Sequence, residues 1–161
     1  MYNHAPENYV CPLCLAVQGI ENEETMMKQE DIVYRDSLIL VAINSKFVGN
    51  NPGHVIIFPV DHIENIYDLP QVQANRIALL AHEVAIALKT VRNCDGVMLH
   101  QNNEPASGQH AFHYHLHVFP RFENDHIQEQ MQKARVSTPE ERKPYSAALK
   151  KYFEANPIKS T

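Results

Sequence analysis

Four of the ten histidines in this chain fall within eight residues, His110-Ala-Phe-His113-Tyr-His115-Leu-His117, and the last three alternate with bulky apolar side chains. Alternation at period two is how a β-strand sorts its side chains between two faces. An extended segment from Phe112 to Phe119 therefore puts His113, His115 and His117 on one face, with Tyr114, Leu116 and Val118 packed on the other. Crowded imidazoles repel one another as soon as two are protonated. A row of three points to one of two chemistries, holding a metal ion or handling phosphate. Ordinary core histidines fit less well, because each buried ring would need its own hydrogen-bond partners.

A second reactive group lies near the start of the chain. Cys11-Pro-Leu-Cys14 has a spacing that, in a cytoplasmic protein, suggests metal or redox chemistry before a structural disulfide. The third cysteine, Cys94, stands alone between an expected helix and an expected strand and reads as a small buried hydrophobe. His4, His82, His100 and His126 have no motif around them. His82 falls on a helix and His100 on a strand, and both read as surface or satisfied packing residues.

Turn signals and periodicity give the elements that must position these groups. Ile32 to Arg35 and Leu38 to Ile43 read as two strands joined by a tight turn at Asp36-Ser37. Asn50-Asn51-Pro52-Gly53 signals another turn, after which His54 to Phe58 forms a third strand stopped by Pro59. Leu69 to Val91 is the long helix, capped by Asp68, with Pro70 in its first turn and Ile77, Leu80, Val84, Leu88 and Val91 as its buried stripe. Val97 to His100 begins a fourth strand, and a polar loop from Asn102 to Gly108 leads into the histidine strand. The acidic stretch Glu21 to Glu30 reads as a short helix. Thr138-Pro139-Glu140-Glu141 has the form of a capping box, and Tyr145, Leu149, Tyr152 and Phe153 mark one face of a last helix closed by Asn156-Pro157. The expectation is an α+β fold: a five-stranded antiparallel sheet crossed by one long helix, with a helical C-terminal extension. A chain of 161 residues fits a single domain, with a core over about residues 11–122 and the extension over 123–161.

A net charge of -5 argues against a general nucleic-acid binder, while a small phosphorylated ligand needs only a local cluster of donors. No run reads as a signal peptide or a membrane span, so the cytoplasm is the expected location.

Gly108-Gln109 followed by His113-Tyr-His115-Leu-His117-Val-Phe resembles the signature of the histidine triad (HIT) family of nucleotidyl hydrolases and transferases. Pro52-Gly53-His54-Val-Ile-Ile-Phe-Pro59 and Asp61-His62-Ile-Glu-Asn65 resemble that family's turn, strand and following segment, in the same order. The resemblance implies that His115 is a nucleophile attacking the α-phosphorus of a purine nucleotide, giving a nucleotidyl-imidazole that water then hydrolyses. His117 would bind the phosphate as charge builds on its oxygens, with Gln109 and Asn102 adding donors. His110 stands where the family more often has serine or threonine. It is read either as a phosphate-binding or proton-donating group or as a merely exposed histidine. Asn44, at the end of the second strand, falls where the family binds ribose, and His54 is expected to support the active strand through a hydrogen bond. The implied substrates are a nucleotide phosphoramidate or a dinucleoside polyphosphate, and by family analogy the protein is a homodimer.

Cys11, Cys14, His62 and His113 make up a Cys₂His₂ set of the kind that holds structural zinc, and some relatives in the family carry this quartet. On that reading zinc fixes His113 while His115 stays free. Two rival readings stay open at this point: a zinc-dependent metallohydrolase with the metal on the triad itself, and a catalytically silent nucleotide-binding sensor.

Overall fold

The computed structural model describes residues 2–22 and 25–159. In chain order, the strands among these residues are β1 (Ile32–Arg35), β2 (Ile39–Ile43), β3 (Lys46–Phe47), β4 (Val55–Pro59), β5 (Gly96–His100), β6 (Leu116–Arg121) and β7 (Arg135–Val136). The helices are α1 (Pro12–Gln18), α2 (Gln71–Arg92), α3 (Ile127–Gln130) and α4 (Pro139–Ala155). Five strands make one antiparallel sheet in the order β1-β2-β4-β6-β5, and the two-residue β3 and β7 pair apart from it. The architecture is thus the expected α+β arrangement, with a small accessory pair added.

The central strands β2 and β4 are buried at every position because both faces of the sheet are covered. On one face Ile39, Val41, Ile43, Val55 and Ile57 pack against the Ile77, Leu80, Val84 and Leu88 stripe of α2, joined by Leu149 and Phe153 of α4. On the other, Leu40, Ala42, Ile56 and Phe58 meet Cys11, Leu13 and Ala16 at the start of the chain, together with Met27. Cys94 is buried in the core beside α2, as expected of a small hydrophobe.

Local chemistry explains most of the element boundaries. The Asp36 carboxylate accepts the main-chain N–H groups of Leu38 and Ile39, which closes the β1–β2 turn. Gly53 has φ +74, and a Cβ there would fall 2.4 Å from the Tyr145 ring, so only glycine fits the turn before β4. In α4, Thr138 and Glu141 form the reciprocal capping box.

Most strand ends fall within one residue of expectation, β4 running through Pro59 where the strand was expected to stop before it, and three boundaries differ by more. Asp68 ends a separate 3₁₀ turn (Ile66–Asp68) capped by Asn65, and α2 starts at Gln71 with Pro70 as its N-cap. The Glu21 to Glu30 stretch is not a helix where it is described. Asn22 and Thr25 bond to each other and only Gln29–Asp31 forms a 3₁₀ turn, while Glu23 and Glu24 lie outside the described residues. The histidine strand begins at Leu116 and not at Phe112. Its neighbour β4 ends at Pro59, which has no N–H to donate, and the Tyr114 amide turns to the carbonyl of Ile63 at 2.6 Å.

Candidate active site and metal centre

The residues ahead of β6 are held by loops on both sides. Phe112 donates its amide to the Tyr9 hydroxyl at 3.1 Å, and Gln109 donates its side-chain amide to the Glu64 carbonyl at 2.6 Å. The Gln109 side-chain oxygen accepts the Glu104 amide at 2.6 Å. Gln109 is therefore buried with both ends of its side chain engaged in the loop. Asn102 is half-buried and makes one long contact, 3.4 Å, to the Gly108 carbonyl. His110 is exposed, and its side chain has no hydrogen-bond partner among the described residues.

The three triad rings have different environments. His113 is fully buried, and its Nε2–H donates to the Pro59 carbonyl at 3.0 Å. His115 is half-buried, and its Nδ1–H donates to the His113 carbonyl at 2.7 Å. That bond fixes the neutral tautomer and leaves Nε2 of His115 as the nitrogen with the free lone pair. His117 Nδ1 lies 3.3 Å from His54 Nε2, and the His115 and His117 rings meet edge-on at 4.9 Å.

Burial is the main cause that favours the neutral form of the His115 and His117 rings. His115 is lowered from the ordinary imidazole value by burial, opposed by its bond to the His113 carbonyl and assisted by nearby His100 and His110. His117 is pushed well below that value by burial and by His115, His54 and His100. His54, stacked on Phe119 at 4.0 Å, is pushed down to about 3 by burial and by His115. The Asn44 amide nitrogen lies 2.8 Å from His54 Nε2. Asn44, His54 and His117 thus form a polar line leading from the end of β2 to β6.

The Cys/His quartet is gathered as its residue types require. Cys11 caps α1, which brings Cys14 one turn on. The Cys11 sulfur lies 3.3 Å from His113 Nδ1, and the Cys14 sulfur lies 3.2 Å from His62 Nδ1 and 3.6 Å from His113 Nδ1. All four donor atoms fall within 4.8 Å of one another. A tetrahedral zinc site with bonds of about 2.0–2.3 Å has edges of about 3.6 Å, so the donor set fits that ion. The Nε2–H of His113 is bound to Pro59, which turns Nδ1 toward the thiols as an acceptor and supplies the outer hydrogen bond such ligands use.

His100 was given no role from the sequence, yet it belongs to this face of the sheet. It pairs directly across from His117, and their ring centroids are 6.2 Å apart. The alternation along β5 puts His100 on the same face as Met98. Which strand lies beside it, and in what register, depends on pairing that a single sequence does not reveal.

The HIT domain matches residues 25–124 of the chain, and the chain belongs to the HIT family. Among curated relatives, it is 28% identical over 141 residues to the bis(5'-adenosyl)-triphosphatase of Dictyostelium discoideum, a match covering 84% of this chain and 93% of the relative. A solved Hit-like protein from Bartonella henselae superposes with a TM-score of 0.74 at 20% identity, covering 92% of this chain and 98% of the other. A zinc-bound histidine triad protein from Mycobacterium smegmatis superposes with a TM-score of 0.72 at 22% identity, covering 93% and 97%. These likenesses confirm the α+β fold with its five-stranded sheet and C-terminal helix.

Proposed function

We propose that the protein is a nucleotidyl hydrolase that cleaves a purine nucleotide phosphoramidate or a dinucleoside polyphosphate at the α-phosphorus. The observation that carries this reading is the His115 Nδ1–H bond to the His113 carbonyl, which leaves a lone pair on Nε2 of a half-buried ring held neutral by burial. In the first step Nε2 forms a bond to phosphorus while the bond to the leaving group breaks. The leaving group takes a proton, with exposed His110 a candidate donor. Water then attacks the nucleotidyl-imidazole, releasing the nucleoside monophosphate and restoring His115. His117 and main-chain N–H groups would stabilise the oxygens of the phosphoryl group in both steps. Asn44, oriented by His54, is placed to accept a ribose hydroxyl, and Asn102 supplies a side-chain amide at the rim. Gln109 serves this site by shaping the loop, since its side chain is already engaged. The triphosphatase relative supports the choice of substrate class.

Zinc in the Cys11, Cys14, His62 and His113 set would have four protein ligands and no open position, a structural role that fixes the segment ahead of the nucleophile. The zinc-bound mycobacterial neighbour supports the choice of metal. A catalytic metal on the triad is disfavoured by ring direction. His113 turns Nδ1 toward the thiols, His115 turns Nδ1 to a carbonyl, and His117 turns Nδ1 to His54. A homodimer is part of the same reading. It would cover the apolar groove of about 600 Å³ between α2 and β5, where Leu99 is exposed. Among the described residues no helix is long and apolar enough to cross a membrane.

The test is incubation with adenosine phosphoramidate and with diadenosine triphosphate, with mass spectrometry of the trapped enzyme. AMP release, an adenylyl group on the His115 peptide, and loss of both in His115→Ala are expected. Tight AMP binding without turnover would favour the silent sensor instead. Unchanged turnover in His115→Ala would remove the mechanism.

A further inference from the structure

His100 has an environment unlike that of a packing residue. It is half-exposed, and among the described residues its side chain makes no hydrogen bond and no ion pair. Among the described residues its one ring contact is with His117, directly across the β5–β6 ladder. The other polar groups on this face follow the strand order. Asn44 stands at the end of β2, His54 precedes β4, His115 and His117 belong to the β6 segment, and His100 ends β5 at the sheet edge. Adjacent strands are about 4.8 Å apart, so these groups form a track across the sheet with His100 at its far end.

That order gives the substrate a direction. The proposed function puts ribose at Asn44 and the reacting phosphorus at His115 and His117. Whatever is attached beyond that phosphorus then extends away from Asn44, over β5. We propose that His100 is a binding residue for the phosphate groups beyond the α-phosphorus, and that it biases the site toward nucleotides carrying a phosphate chain over those with a small uncharged leaving group. An imidazole with no protein partner can direct an N–H at a phosphate oxygen without breaking an existing bond, and such charge-assisted bonds are among the stronger ones. The assignment rests on the nucleotide reading of the site, and binding measurements separate the two without requiring turnover.

The experiment is titration calorimetry of the full chain with AMP and with the non-hydrolysable α,β-methylene analogue of ADP. His100→Ala should weaken the ADP analogue about tenfold while leaving AMP within about twofold, and His100→Gln, which keeps an N–H donor, should recover part of the loss. Equal weakening of both ligands would make His100 only a support for His117 and overturn the assignment, as would no change in either. If the unaltered protein binds neither nucleotide, the nucleotide reading fails and takes this one with it. If nucleotides bind and only the selectivity is unmoved, the His100 assignment alone fails.

Discussion

The His113 ring joins the thiol cluster to the active strand: its Nδ1 lies 3.3 Å from the Cys11 sulfur, while its Nε2–H is held by the Pro59 carbonyl at 3.0 Å. The main-chain carbonyl of the same residue receives the Nδ1–H of His115 at 2.7 Å. Whatever fixes the His113 ring therefore fixes the acceptor that sets the His115 tautomer. The Cys14 thiol is pushed up to about 12 by burial and by Cys11. A divalent ion reverses that preference by binding the thiolates. Zinc at one ion per chain is expected from elemental analysis. Cys11→Ser should lose most of that zinc and melt roughly 5 °C or more below the unaltered protein. Full zinc retention in the variant, or a melting temperature that does not move, would count against a metal in this cluster.

The C-terminal helix is anchored by a buried charge. Arg142 and Asp31 are 1% and 2% exposed and bond at 2.8 Å, and Arg142 also donates to the carbonyls of Met26 and Ser137. The second Asp31 oxygen accepts the Lys28 amide at 2.8 Å. Removing one member leaves the other charged and unpaired in the interior, which typically costs about 3–5 kcal/mol. Arg142→Met and Asp31→Leu alone should each lose about that much in urea unfolding, and the double variant should lose less than the sum. Strictly additive losses would show that the two residues are not energetically coupled.

The large elements were legible because each carries its own periodicity or turn. The apolar runs of β2 and β4, the stripe of α2 and the Thr138 capping box all act locally, and each formed close to where it was read. The Cys-x-x-Cys and His-x-His-x-His spacings were legible for the same reason, and Cys11, Cys14, His62 and His113 lie together in the fold. What depends on pairing or loop path was not. His100 owes its place to the β5–β6 register, which no local pattern encodes. The family resemblance implied a phosphate donor at Gln109, but the loop turns its side chain to Glu64 and Glu104 instead. The start of the histidine strand moved for a physical reason: Pro59 cannot donate to the ladder, and Ile63 takes the Tyr114 amide.

His54 should make the fold acid-sensitive in a definable way. It is 1% exposed, faces Asn44, His117 and Phe119, and its Nδ1 has no hydrogen-bond partner among the described residues. Burial, with His115 adding to it, pushes its pKa down to about 3 from the ordinary 6.5. Below 6.5 the unfolded chain binds a proton at this residue that the folded chain refuses, so stability falls as pH drops through the window from 6.5 to 3. At about 1.4 kcal/mol per unit, His54 should account for about 2 kcal/mol of stability lost between pH 7.5 and pH 5. Urea unfolding at both values, for the unaltered protein and for His54→Asn, reads that difference directly. The variant starts from a different absolute stability, so the comparison lies in the change with pH, which should shrink by about 2 kcal/mol. Equal losses in the two proteins would mean that some other group carries the acid response, and that protonation of His54 does not oppose folding.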